Sequence, residues 1–117
     1  MKIQSDIRDG VVVIKPIGKI IGPASSQFRR AIIDEIKGMT ESPNFLFDFA
    51  GVSQIDSVGI GALVGSHVTI AQRGGKVGVI NVSKHIRNTF VITKLITTFK
   101  HFNDENEAIV NLRQLEA

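Results

Sequence analysis

The chain reads as a mixed α/β domain, a β-sheet of four to five strands with about four helices packed mainly on one face. Three observations predict it. Residues 2–8 alternate polar and apolar, and Asp9-Gly10 then leads into a second apolar run, the pattern of a β-hairpin. Beyond the hairpin, short apolar runs alternate with segments of helical period, an order whose crossovers place the later strands parallel. The length of 117 residues, 43% of them apolar, suits one domain over 1–117 with a true core.

Each element has its own signal. Ile3, Ser5 and Ile7 alternate with Lys2, Gln4, Asp6 and Arg8, the two-residue period of a half-buried strand. Gly10 tolerates the positive φ of a type I′ turn, and residues 11–17 form the return strand. Pro16 cannot donate a ladder hydrogen bond, so it belongs at a strand end or edge. Gly22-Pro23 opens a helix with Ala24, Phe28, Ala31, Ile32, Ile36 and Met39 on one stripe, and Gly38 lies near its stop. Residues 45–49 form a short buried strand. A second helix runs over about 57–73 with Ile60, Leu63, Val64, Val68 and Ala71 on its buried stripe, ended by Gly74-Gly75. A strand follows over 76–82. Ser83 caps a third helix carrying Ile86 and Phe90, and residues 94–102 hold a short edge strand. Asp104-x-x-Glu107 has the form of a capping box before a last helix with Ala108, Leu112 and Leu115.

Composition excludes several function classes. There is no cysteine, hence no disulfide framework and no thiolate metal site, which fits a reducing cytoplasm. The start lacks the unbroken apolar stretch of a signal peptide, and no run reaches the roughly 20 apolar residues of a membrane span. The expectation is a cytoplasmic protein without membrane insertion. A net charge of +3 does not imply nucleic acid. Asp34 and Glu35 offset Arg29, Arg30 and Lys37, and there is no Tyr or Trp to serve as a stacking platform. Lys84, His85 and Arg87 are the densest basic cluster and read as a solvated helix face.

Enzymatic readings fail on spacing. Ten residues of helix, about 15 Å, separate Ser57 from His67, too far for a nucleophile and its base. The elbow pattern G-x-S-x-G is absent. Gly74-Gly75-Lys76 lacks the rest of a phosphate-binding loop and sits at a helix end, where the dipole repels phosphate. His67, His85 and His101 are isolated, so no metal site and no cofactor is expected.

The informative segment is Gly51-Val52-Ser53-Gln54-Ile55-Asp56-Ser57-Val58-Gly59-Ile60-Gly61-Ala62-Leu63-Val64. It is a strand-to-helix junction with two N-cap residue types, Asp56 and Ser57, at the helix start. Gly59 and Gly61 each cost helix propensity, roughly 1 kcal/mol against Ala. Close approach by the sheet beneath or by a partner above accounts for them equally well.

Asp-Ser-x-Gly-x-Gly-x-Leu-Val after Gly-Val-x-x-Ile resembles the signature of STAS domains in anti-sigma-factor antagonists. The likeness continues, in order, through Gly18-Lys19-Ile20, Arg73-Gly74-Gly75-Lys76-Val77, Asn81-Val82, Ile92-Thr93-Lys94-Leu95 and Glu107-Ala108. The resemblance implies a STAS-like fold and a non-enzymatic switch. In that family the serine after the Asp is the phosphoacceptor, which is Ser57 here. The implied partners are an anti-sigma factor with serine kinase activity, whose phosphorylation of the antagonist ejects it, and a serine phosphatase that restores it. The implied partner-binding residues are Asp56, Val58, Gly59 and Ile60, with Ile21 and Gly22 from the preceding loop. Two residues depart from the pattern: Val58 stands where many members have Ser or Thr, and Ile21 where many carry an acidic side chain. A STAS domain serving as an unphosphorylated structural subunit of a transporter or stress-signalling assembly is the alternative.

Overall fold

Alternation builds the first two strands, and a two-residue turn joins them. In a computed structural model, which describes residues 1–38 and 44–113, β1 (Lys2–Arg8) returns through Asp9 and Gly10 into β2 (Val11–Ile17). The turn residues have φ of 51° and 79°, the two positive values of a type I′ turn. The chain continues through α1 (Pro23–Lys37), β3 (Asn44–Asp48), α2 (Ser57–Gln72), β4 (Val77–Ile80), α3 (Lys84–Ile92), β5 (Lys100–His101) and α4 (Glu105–Arg113). The sheet order is β1-β2-β3-β4-β5, antiparallel only at β1–β2. Pro16 lies beyond the residues of β2 that pair with β3, Val11 to Ile14, so the ladder loses nothing by its missing N–H.

Strands β2, β3 and β4 are apolar at nearly every position because both sheet faces are covered. Val12, Ile14, Phe45, Phe47, Val77 and Val79 join α1, α2 and α3 in the larger core. Val11, Val13, Leu46 and Ile80 face the other way, onto Ala108, Ile109 and Leu112 of α4. Three helices therefore share one face and the last crosses to the other. Aromatic rings span the larger core: Phe28 meets Phe47 edge-on at 5.9 Å, Phe49 meets Phe90 at 6.5 Å, and Phe90 meets Phe99 at 5.7 Å.

The helix ends carry the expected caps. Ser83 Oγ accepts from Ile86 N at 3.3 Å, and Asp104 Oδ1 from Glu107 N at 2.8 Å, one half of the reciprocal box. Glu105 pins α4 across the hairpin through Arg8 at 2.6 Å and Lys15 at 3.0 Å. The Arg8 hydrogen bond, then that of Lys15, holds the Glu105 carboxyl below its ordinary range.

Two expectations need correction. The first strand is not half-buried along its length: Ile3 packs partly on the core, whereas Ile7 is exposed, β1 being the edge strand of the sheet. The buried stripe of α2 is rotated from the expected one, consisting of Gly59, Ala62, Leu63, Ser66 and Ile70. Val68 is 48% exposed and Ala71 also faces outward. The helix is apolar around most of its circumference, so periodicity alone could not choose its inner face. Met39 and Leu115, expected on helical stripes, lie outside the described residues.

A steric constraint chooses that face. A Cβ on Gly59 would lie 2.7 Å from Ile55 Cγ1 and 2.8 Å from Ile20 Cγ2, whereas one on Gly61 meets nothing within 4 Å. The two glycines are thus separable by experiment. Gly59→Ala is expected to lower the urea midpoint, because overpacking costs about 1–3 kcal/mol. Gly61→Ala is expected to raise stability by roughly 0.5–1 kcal/mol through helix propensity. Equilibrium unfolding monitored by circular dichroism checks both signs.

Candidate functional site

The loops leaving β2 and β3 emerge at the same end of the sheet, because the two strands are parallel. Backbone bonds lace them together. Gly18 N donates to Gly51 O, Ile20 N to Gln54 O, and Asp56 N to Ile20 O, each at 2.9 Å. Ile20 and Ile55 form a one-residue parallel bridge, and their side chains plug the space beneath α2.

Asp56 closes the arrangement as the N-cap of α2. Its Oδ1 accepts from Gly59 N at 2.9 Å and from Ser25 Oγ at 2.5 Å, while Oδ2 accepts from Gly22 N at 2.9 Å. One carboxylate thereby satisfies a first-turn amide of α2, the N-cap amide of α1 and the fully buried Ser25 hydroxyl. Gly22 delivers its N–H from φ 56°, ψ −130°, a conformation costly for any residue with a Cβ. The Ser25 hydrogen bond, followed by that from Gly59 N–H, holds the Asp56 carboxyl below the ordinary aspartate range; partial desolvation opposes them, and the Gly22 and Val58 amides add to the lowering.

Ser57 is the first residue of the helix and is exposed. Asp56 has taken the cap, so the Ser57 hydroxyl has no hydrogen-bond partner among the described residues. Val58 beside it is 51% exposed and Ile21, in the loop before α1, 43%. The expected site residues sort by orientation. Ser57, Val58, Ile21 and Gly22 reach the surface and Ile60 is half-buried, whereas Gly59 is buried and the Asp56 carboxylate is turned inward on the clamp. Sequence reasoning missed Ser25, whose polar side chain disguised a buried helix position. A stripe that counts Ser25, Phe28 and Ile32 would have found it.

Other candidate groups remain apart. His67 sits well down α2 with its ring edge-on to Phe99 at 5.7 Å, and its buried Nδ1 lacks a partner among the described residues. Lys84, His85 and Arg87 lie exposed on α3. Among the described residues, no group of three or more His, Cys, Asp or Glu could hold a metal ion, and no helix is long and apolar enough to cross a membrane.

The sequence matches the STAS domain family over residues 2–108, and the chain belongs to that family. No curated protein matches it. Among solved structures, it is similar to an anti-sigma-factor antagonist (STAS) domain protein from Planctomyces limnophilus, with TM-score 0.84, 19% identity, and 94% of this chain and 96% of that one covered. The anti-sigma-factor antagonist SpoIIAA in its unphosphorylated form gives TM-score 0.82 and 25% identity over 96% of each chain. Phosphorylated SpoIIAA from Bacillus gives 0.74 and 24%, covering 94% of this chain and 98% of that one. The murine solute carrier 26 anion transporter gives 0.76 and 19% over 89% of this chain, but only 18% of the transporter.

The clamp has a pH signature. Because the folded pKa of Asp56 is depressed, its contribution is fully present above the unfolded-state value and disappears as pH falls through the lower folded value. Asp56→Asn is therefore expected to have a lower urea midpoint at neutral pH, with the gap to the parent closing in the acid range below the ordinary aspartate value. Urea melts at a series of pH values measure this difference. A gap that is constant with pH would show that the charge of Asp56 contributes nothing.

Proposed function

We propose that this protein is an anti-sigma-factor antagonist, a phosphorylation-regulated interaction switch and not an enzyme. It binds an anti-sigma factor with serine kinase activity and is released when Ser57 is phosphorylated; a serine phosphatase resets it in the cytoplasm. One observation carries the reading: a single serine hydroxyl stands exposed and unbonded, among the described residues, on the first turn of α2. The STAS family match and the likeness to SpoIIAA, solved with and without phosphate, support it.

Charge and position supply the mechanism. Phosphate adds about −1.5 to −2 charge at neutral pH. At a helix N-terminus this charge gains roughly 0.3–1 kcal/mol from the dipole, so the fold tolerates it. Asp56 remains in its own bonds to Gly22, Ser25 and Gly59 and does not need Ser57 as a cap. The surface, in contrast, changes character. A partner seated on Ile21, Val58 and the exposed part of Ile60 has to desolvate the phosphate. A penalty of about 3 kcal/mol weakens binding on the order of a hundredfold.

The likeness to a domain of an anion transporter favours a second reading, an unphosphorylated structural subunit. Intact-mass analysis of protein from its native cell separates the two by the presence or absence of phosphate.

Ser57→Ala is expected to bind the partner kinase and escape phosphorylation. Ser57→Glu is expected to fold normally and bind more weakly, without abolishing binding, because a carboxylate carries about half the charge of phosphate. Val58→Ser adds a second hydroxyl, yet the phosphate is expected to stay on Ser57. Calorimetric titration with the co-purified partner and phosphosite mapping after incubation with ATP are the measurements. Unweakened binding by Ser57→Glu, or phosphate on another residue, would overturn the switch.

A further inference from the structure

Charge is distributed unevenly along the chain. Residues 57–103 contain no Asp or Glu, and all 11 carboxylates lie outside them. The same stretch holds Arg73, Lys76, Lys84, Arg87, Lys94 and Lys100. It folds into α2, β4, α3 and β5, the flank of the sheet away from the hairpin. Lys76, Lys84, Arg87, Lys94 and Lys100 are all exposed, and none joins an ion pair among the described residues.

On α3, within this cationic flank, are two apolar side chains that the core does not use. Helix α3 buries Ile86 and Phe90, but Val91 is 54% exposed and Ile92 80%. On a helix, residues three and four apart are neighbours, so Arg87 lies one turn before Val91 and Lys84 one turn before Arg87. Lys94 follows Ile92 after one intervening residue, Thr93. The last turn of α3 thus presents an apolar tip with Arg87 on one side and Lys94 just past its end. Val91 and Ile92 lie on a different helix from Ser57.

We infer that the last turn of α3 is a second docking surface, which takes an acidic protein segment and buries one of its apolar side chains against Val91 and Ile92. An apolar centre with a charged rim is the anatomy of a protein–protein contact. Unopposed cations on the rim select an acidic partner and speed its encounter. A membrane surface fits less well, since interfacial helices insert a broad apolar face, whereas the remainder of the α3 apolar face is already in the core. Nucleic acid fits less well too, because an apolar pair at the centre of a patch offers phosphates nothing.

A random dodecapeptide library displayed on phage, selected against the whole protein, tests the inference. The selected peptides are expected to place Asp or Glu on both sides of Leu, Ile or Phe, and to bind less tightly as salt is raised. Ile92→Ser and Arg87→Glu are each expected to weaken the consensus peptide about tenfold or more. Val91→Ser provides a second apolar variant if one of these fails to melt cooperatively. Ile7→Ser, which removes an exposed apolar side chain on β1, is expected to change nothing. The inference is overturned if no peptide is selected, if the selected peptides lack acidic residues, or if acidic peptides bind the α3 variants as tightly as the parent. Preferential binding to phosphatidylglycerol vesicles or duplex DNA over the peptides overturns it as well.

Discussion

The Asp56 carboxylate joins the starts of two helices that lie far apart in the sequence. Gly22 at the N-cap of α1, Ser25 inside its first turn and Gly59 inside the first turn of α2 all donate to it. Helix starts leave amides without partners, and here one side chain serves two helices at once. An ionised acceptor suits this work because bonds to a charged group are stronger than neutral ones. Since the carboxylate is only half-buried, it keeps part of its hydration while it organises the junction. Remove that acceptor and the two loops keep their backbone bonds, but α1 and α2 lose the cap they share.

The position of Ser57 follows from that clamp. With Asp56 as the cap, the next residue falls on the first helical turn, outside the clamp and facing solvent. The Ile20–Ile55 bridge and the missing Cβ of Gly59 bring the loops close beneath it. A covalent change at Ser57 can therefore alter the surface without entering the core. Support and surface are thus separate at this junction: the clamp lies beneath, and the exposed side chains lie above it.

The two faces of the sheet have different tasks. The larger core, with its aromatic rings from Phe28 through Phe99, holds α1, α2 and α3 against the sheet. Helix α4 seals the other face with Ala108, Ile109 and Leu112 and is tied to the hairpin by exposed ion pairs. Such exposed pairs contribute little, typically under about 1 kcal/mol each. Apolar packing holds α4 in place, and the pairs orient its end.

Local rules made much of this protein legible from its residues. The hairpin follows from alternation and Asp9-Gly10, the caps at Ser83 and Asp104 from their side chains, and the strand–helix order from apolar period; the motif around Asp56 and Ser57 led to the family. Tertiary structure decided which way each residue turns. Helix α2 is apolar on too many sides for its sequence to name its inner face, and the contact of Gly59 with Ile20 and Ile55 chose it. Ser25 looks like a solvent residue until Asp56 is brought beside it across 31 positions. Asp56 itself reads as one of two equivalent caps, and only the laced loops show that it serves both helices and leaves Ser57 free. A residue's period and capping chemistry are set by its neighbours in the chain, but its partners across the fold exist only once the strands have paired.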